Sequence, residues 1–132
     1  MFRSLIANSN GDDRLVMARH LTHATANLIR IWESSSENET MELLGRVQFD
    51  LVLLDSSVAG AGSALIREEV KGKGIPGLFT DSSHPRGFTY DERSHWLRCR
   101  KEVVDTAFLV EFIERLCSIG FYRDKMFYLK SH

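Results

Sequence analysis

Residues 49–55 read FDLVLLD, and residues 56–63 continue SSVAGAGS. Four consecutive apolar residues, Leu51 to Leu54, end on a single carboxylate, Asp55, and small-residue turns follow. Near-continuous hydrophobicity over one strand length predicts burial on both faces, the position of a central strand in a parallel sheet. The acid at its end reads three ways: a reactive group, a metal ligand, or a strand-end cap accepting hydrogen bonds from the next loop's amides.

Working outward, strand-length apolar runs alternate with helix-period segments along the whole chain. A first strand is predicted over 2–7, and NSNG turns it into a helix starting near Asp12. A second strand, 27–32, carries Leu28, Ile29, Ile31 and Trp32, with Arg30 its single charge. In SSSENETMELLGRV, Ser36 and Glu39 have the spacing of a capping box, which opens a second helix. Beyond the strand at 49–54, a helix over 63–70 ends near Gly72 and Gly74, and a short fourth strand follows over 75–80. HWLRCR supplies a fifth strand at 95–100. The last helix runs over 105–118, buries Phe108, Leu109, Phe112 and Leu116, and stops at Gly120. The fourth unit is the weak one: DSSHPRGFTYDERS holds Pro85 and Gly87 and no helical stripe, which predicts a helix that is short, irregular or missing. Five βα units predict an α/β chain with an open, doubly wound, mostly parallel five-stranded sheet covered on both faces. The predicted organisation is one domain over 1–120 and an aromatic-rich tail or linker over 121–132.

Composition limits the function classes. A chain of 132 residues with 43% apolar and 27% charged residues has the make-up of one globular domain. A net charge of −1 gives no electrostatic attraction to nucleic acid or to an anionic membrane. No apolar run approaches the ~20 residues of a membrane-spanning helix. Cys99 and Cys117 lack metal-ligand spacing, and the expectation is a cytoplasmic protein with buried, free thiols. VAGAGSAL has G-x-G but neither a third glycine nor Gly-Lys-Ser/Thr, so it reads as a tight turn and not as a nucleotide loop. The histidines at 20, 23, 84, 95 and 132 are scattered and read as surface residues. RCRK at 98–101 is too short a basic cluster to argue nucleic-acid binding.

FDLVLLD followed by Gly60, with LIAN closing the first strand and DTAFLVEFI opening the last helix, resembles the receiver domain of bacterial two-component response regulators over about residues 2–118. The resemblance implies a flavodoxin-like (βα)5 fold and a site at the carboxyl ends of the strands. It implies Asp55 as phosphoacceptor, with an acidic pair holding Mg²⁺, a hydroxyl from the fourth strand and a lysine from the fifth. Asn8 and Ser9 stand where the acidic pair belongs, and neither carries a charge. Asp12 and Asp13 lie further on and favour the helix N-terminus. Thr80 is the hydroxyl candidate, although an ungapped count puts Asp81 at that position. Lys101 is the lysine candidate, against Glu102 or Cys99 in other alignments, the last with Trp96 as the switch aromatic.

Asp55 is therefore retained without most of its assistants. The expectation is a degenerate or pseudo-receiver: a phosphorelay-type signalling module, not an enzyme, acting through protein contact. It requires no cofactor, and its Mg²⁺ binding is weak or absent. Its partner is a kinase or output protein, met through 82–101 and the last helix, and a homodimer is compatible with the aromatic tail. The competing expectation is a receiver in which a histidine kinase phosphorylates Asp55.

Overall fold

The structure is a computed structural model that describes residues 2–58, 64–120 and 122. Its order is β1 (Phe2–Ala7), α1 (Gly11–Ala24), β2 (Ile29–Ser34), α2 (Glu37–Arg46), β3 (Leu51–Asp55), α3 (Ala64–Gly72), β4 (Gly77–Thr80), β5 (Phe88–Asp91), β6 (Trp96–Cys99), a 3-10 turn (Lys101–Val103) and α4 (Thr106–Ser118). The sheet runs β2-β1-β3-β4-β6-β5, parallel throughout except for the β5–β6 pair. The doubly wound α/β arrangement is the predicted one, with a flavodoxin-like order of its five parallel strands.

The central strand has the burial its sequence implies. Leu51, Val52, Leu53 and Leu54 are all buried, and their side chains alternate between two cores. Leu51 and Leu53 join Leu21 of α1 and Leu109, Phe112 and Leu116 of α4 on one face. Val52 and Leu54 join Leu44 of α2 and Ile66 and Val70 of α3 on the other. Each fully buried leucine contributes about 2 kcal/mol of transfer free energy, so this pattern fixes which helices lie on which face.

Local signals explain most of the helix ends. Asn10 caps α1 by accepting from Asp13 N–H, Ser36 caps α2 by accepting from Glu39 N–H, and Asp105 caps α4 by accepting from Phe108 N–H. β2 begins two residues later than the sequence suggests. Ala26 and Asn27 take left-handed conformations, φ 52° and 66°, and Asn27 N–H bonds back to the Thr22 carbonyl, so both residues belong to the C-terminal turn of α1.

The fourth unit corrects the expected strand count, and of the two readings of its helix, short or missing, the missing one holds. Among the described residues six strands form, and the segment between β4 and β6 is an antiparallel hairpin arm with no helix. Pro85 and the left-handed Gly87, φ 88°, oppose a helix there. Phe88, Thr89 and Tyr90 are strand formers, and Asp91 turns the chain back through bonds from Arg93 N–H and Ser94 Oγ. Beside α3, a groove of about 190 Å³ then lies over Phe79, Trp96 and Arg98. The guanidiniums of Arg67 and Arg98 sit 5.2 and 5.5 Å from the Phe79 ring centre.

His84 is buried, contrary to the surface reading of the histidines. It bonds the Pro85 carbonyl through Nδ1 and Thr89 Oγ1 through Nε2, while Arg100 Nε donates to the His84 carbonyl. Cys99 and Cys117 are both buried, as expected. Of the aromatic tail, Tyr122 packs on the domain: its ring meets Phe2 edge-on at 4.9 Å and its hydroxyl donates to the Asp50 carbonyl at 2.6 Å. Residues 123–132 lie outside the described residues, as do 59–63 of the loop after Asp55.

Candidate functional site

The carboxyl ends of β1, β3 and β4 bring Asn8, Asp55 and Thr80 around one small cavity of about 10 Å³, room for about one water molecule. Parallel pairing sets Asp55 opposite Thr80. Thr80 Oγ1 donates to Asp55 Oδ1 at 2.5 Å, and Ser57 N–H donates to Asp55 Oδ2 at 3.0 Å. Both carboxylate oxygens of this half-buried residue thus have a protein donor, and the second bond is the loop-amide cap weighed from sequence.

Two alignment ambiguities end here in geometry. The hydroxyl beside Asp55 belongs to Thr80. Asp81 turns away, accepting from the Arg98 guanidinium and from Ser83 N–H and Oγ. Those bonds, Arg98 foremost, lower the Asp81 pKa to about 2. On β6 the residue in register with Thr80 is Cys99, not a basic side chain. Its thiol is buried, and burial, followed by the nearby Glu102 charge, pushes its pKa up to about 11. Lys101 lies two residues further, in the 3-10 turn, and its Nζ donates to Asp13 Oδ2 at 3.1 Å. That hydrogen bond, then the Asp13 charge, raises the lysine pKa; Asp55 adds the weakest of the contributions. Trp96 is buried, and its Nε1–H donates to the Ile75 carbonyl at 2.9 Å, so the indole is a fixed core group.

The end of β1 is held by hydrogen bonds to a neutral amide and to the backbone. Asn8 is 4% exposed. Its side-chain Oδ1 accepts from Asn10 N–H at 2.9 Å and from Ser57 Oγ at 3.3 Å. Ser9 joins through its backbone N–H, which donates to Ser57 Oγ at 3.0 Å. The Arg14 guanidinium donates to the Asn8 carbonyl at 2.7 Å and pairs with Glu33 at 3.2 Å, bringing a fixed positive charge to this strand end. These donors do not fit a Mg²⁺ site, since a hard cation favours several oxygens with carboxylate charge among them. Asp55 alone among Asn8, Ser9, Asp55 and Thr80 is charged. Among the described residues, no three His, Cys, Asp or Glu side chains gather as a metal-ligand group.

Sequence reasoning missed Ser57 and Arg14. Ser57, two residues after Asp55, links the ends of β1 and β3 through its N–H and Oγ; the Asp-x-Ser spacing of an Asx-type turn was the available signal. Arg14 had none, because its contact crosses from α1 to the end of β1.

No family model and no curated protein matches the sequence. Solved structures do match. A CheY-like response regulator receiver domain protein from Methanospirillum hungatei JF-1 aligns at 15% identity and TM-score 0.57, over 87% of this chain and 92% of that one. A response regulator receiver modulated diguanylate cyclase from Pelobacter carbinolicus aligns at 20% and 0.60, over 94% and 99%. The signal receiver domain of a signal transduction histidine kinase from Syntrophus aciditrophicus aligns at 18% and 0.58, over 91% and 92%. With the strand order and the site at the strand ends, these likenesses establish that the chain has the fold of response regulator receiver domains.

Proposed function

We propose that this chain is an atypical receiver-like signalling module that works through protein–protein contact, without conventional Mg²⁺-dependent phosphorylation and without enzymatic activity of its own. The observation that carries the reading is the state of Asn8. A neutral amide stands where the resemblance calls for a metal-binding acid, and its oxygen is already taken by Asn10 and Ser57. Lys101 is held by Asp13, and Cys99 stands opposite Thr80. Phosphoryl transfer to Asp55 would then lack most of its charge stabilisation, a loss of several kcal/mol in the transition state. A cytoplasmic kinase or output protein is the proposed class of partner. The proposed contact surface is 82–101 with the last helix, where β5 replaces a helix and leaves Phe88 exposed.

The Thr80–Asp55 hydrogen bond favours a second reading, a receiver phosphorylated on Asp55 by a histidine kinase, since a hydroxyl beside the acceptor carboxylate is one of the groups that chemistry needs. Titration with Mg²⁺ and then with beryllofluoride, followed by backbone NMR and tryptophan fluorescence, separates the two. The proposed module gives no saturable change at Asp55, Ser57 or Thr80. A saturable response that disappears in Asp55→Ala overturns it in favour of the phosphoacceptor.

A further inference from the structure

β5 is the outermost strand of the sheet, and among the described residues no strand pairs with its outer side. Two hydrogen bonds identify which of its backbone groups face outward. The Cys99 carbonyl accepts from Asp81 N–H at 2.9 Å, so Cys99 directs its backbone toward β4, away from the Phe88 that lies opposite it. Phe88 therefore occupies a pair without ladder bonds and turns its own N–H and C=O to the open edge. At the other end, the Asp91 carbonyl accepts from His95 N–H at 2.8 Å and so faces inward. By alternation Thr89 also faces inward and Tyr90 outward.

Open edges of this kind are commonly protected by charges that repel another strand. Here the flanking charges are exposed and opposite in sign: Arg86 precedes the strand and Glu92 follows it. We propose that the β5 edge pairs with the β5 edge of a second copy of this chain, antiparallel about a two-fold axis at Thr89, which makes one continuous sheet. In this register each Phe88 lies opposite the partner's Tyr90, and these outward-facing residues exchange both backbone hydrogen bonds. The two Thr89 residues face each other, and each Arg86, just before its strand, lies at the same end of the interface as the partner's Glu92, just after its own. Slipping the register by two residues in one direction sets Phe88 against Glu92; in the other it sets Arg86 against Tyr90. The Thr89-centred register alone matches aromatic with aromatic and cation with anion, the pairings that stabilise adjacent strands. It also covers Phe88, which is 55% exposed and touches Phe108 edge-on at 6.1 Å from one side. The pairing deepens the reading of 82–101 as a contact surface and rests on it.

Sedimentation of the full chain tests it as a dimer dissociation constant. R86E or E92R alone sets like charges across both ends of the interface and weakens the dimer about tenfold or more. The double variant R86E/E92R re-forms both pairs with their signs exchanged and restores association. Both side chains are exposed, so circular dichroism should register an unchanged fold. Thr89→Cys should give a covalent dimer on oxidation, because a pair without ladder bonds has Cα atoms about 4.5 Å apart, within disulfide reach. Cys99 and Cys117 are buried and do not compete. A chain that stays monomeric at every concentration overturns self-pairing but leaves the contact surface open to a different protein. A dimer indifferent to the charge swaps, and not cross-linked at position 89, is held by another face or by the tail; it overturns the pairing and counts against the surface as well.

Discussion

Thr80 Oγ1 donates to Asp55 Oδ1 at 2.5 Å, across two parallel strands whose register sets these residues side by side. The bond joins a hydroxyl at the end of β4 to the carboxylate at the end of β3, at the point where the loops leave the sheet. Thr80→Ala removes the donor and leaves a half-buried carboxylate to water, which costs about 1 kcal/mol. Thr80→Ser keeps most of it. Urea unfolding of the two variants beside the parent checks this: Ala should lower the midpoint with an unchanged slope, and Ser should lie close to the parent. Equal losses in both would mean that the threonine methyl group, not the hydroxyl, stabilises the strand end.

The amide of Asn8 leads to a gain-of-binding prediction. Replacing Asn8 and Ser9 together by Asp restores two carboxylates beside Asp55. Without metal, the charge at the 4%-exposed Asn8 position destabilises the fold by about 2 kcal/mol. Magnesium should then raise the melting temperature of the double variant, because a ligand bound by the native state alone stabilises it by mass action. The parent chain should show no such shift. Thermal melts with and without millimolar Mg²⁺ decide the matter, and an equal shift in the parent would mean that its existing donors already bind the ion.

The sequence carried the architecture further than the chemistry. Leu51 to Leu54 announced a two-face-buried strand, Ser36 and Glu39 announced a helix start, and Asp105 to Gly120 bounded the last helix; each signal is local and strong. β5 was hidden because a four-residue strand among Pro85, Gly87 and a run of polar residues has the composition of a loop, and a partner strand, β6, makes it a strand. The site failed in the same way. Which of Thr80 and Asp81 stands beside Asp55 is set by the β3–β4 register, and which residue lies opposite Thr80 on the next parallel strand depends on how 81–95 is spaced. The Asp55–Thr80 and Thr80–Cys99 pairings answer these questions through the sheet, and no count along the chain does.

Gly77 is a position where the backbone leaves no room. A Cβ built there would lie 2.4 Å from the Trp96 ring and 2.6 Å from the Val52 carbonyl oxygen. The ring cannot yield easily, since Trp96 is buried and its Nε1–H is bonded to the Ile75 carbonyl. Gly77→Ala should therefore cost about 3 kcal/mol, the upper end for overpacking a core. The indole should also move, so tryptophan emission of the folded variant should shift. A near-neutral change in stability would show that β4 and β6 can separate locally without loss.

Asp81 and Arg98 predict a pH dependence on the acid side. Arg98 and Ser83 lower the Asp81 pKa to about 2, from 3.8 in an unperturbed aspartate. A carboxyl depressed on folding binds its proton more tightly in the unfolded chain. Its contribution is therefore fully present above about pH 4 and is lost as pH falls through 4 toward 2. The Arg98 side chain is 48% exposed, so solvent screening reduces that contribution to about 1 kcal/mol. Asp81→Asn removes the titration while keeping the shape. Melting temperatures of the parent and the variant should converge as pH falls from about 4 to 2, with the parent higher above that window. Parallel curves throughout would mean that Asp81 titrates alike in the folded and unfolded chains, and that its pairing with Arg98 contributes nothing to stability.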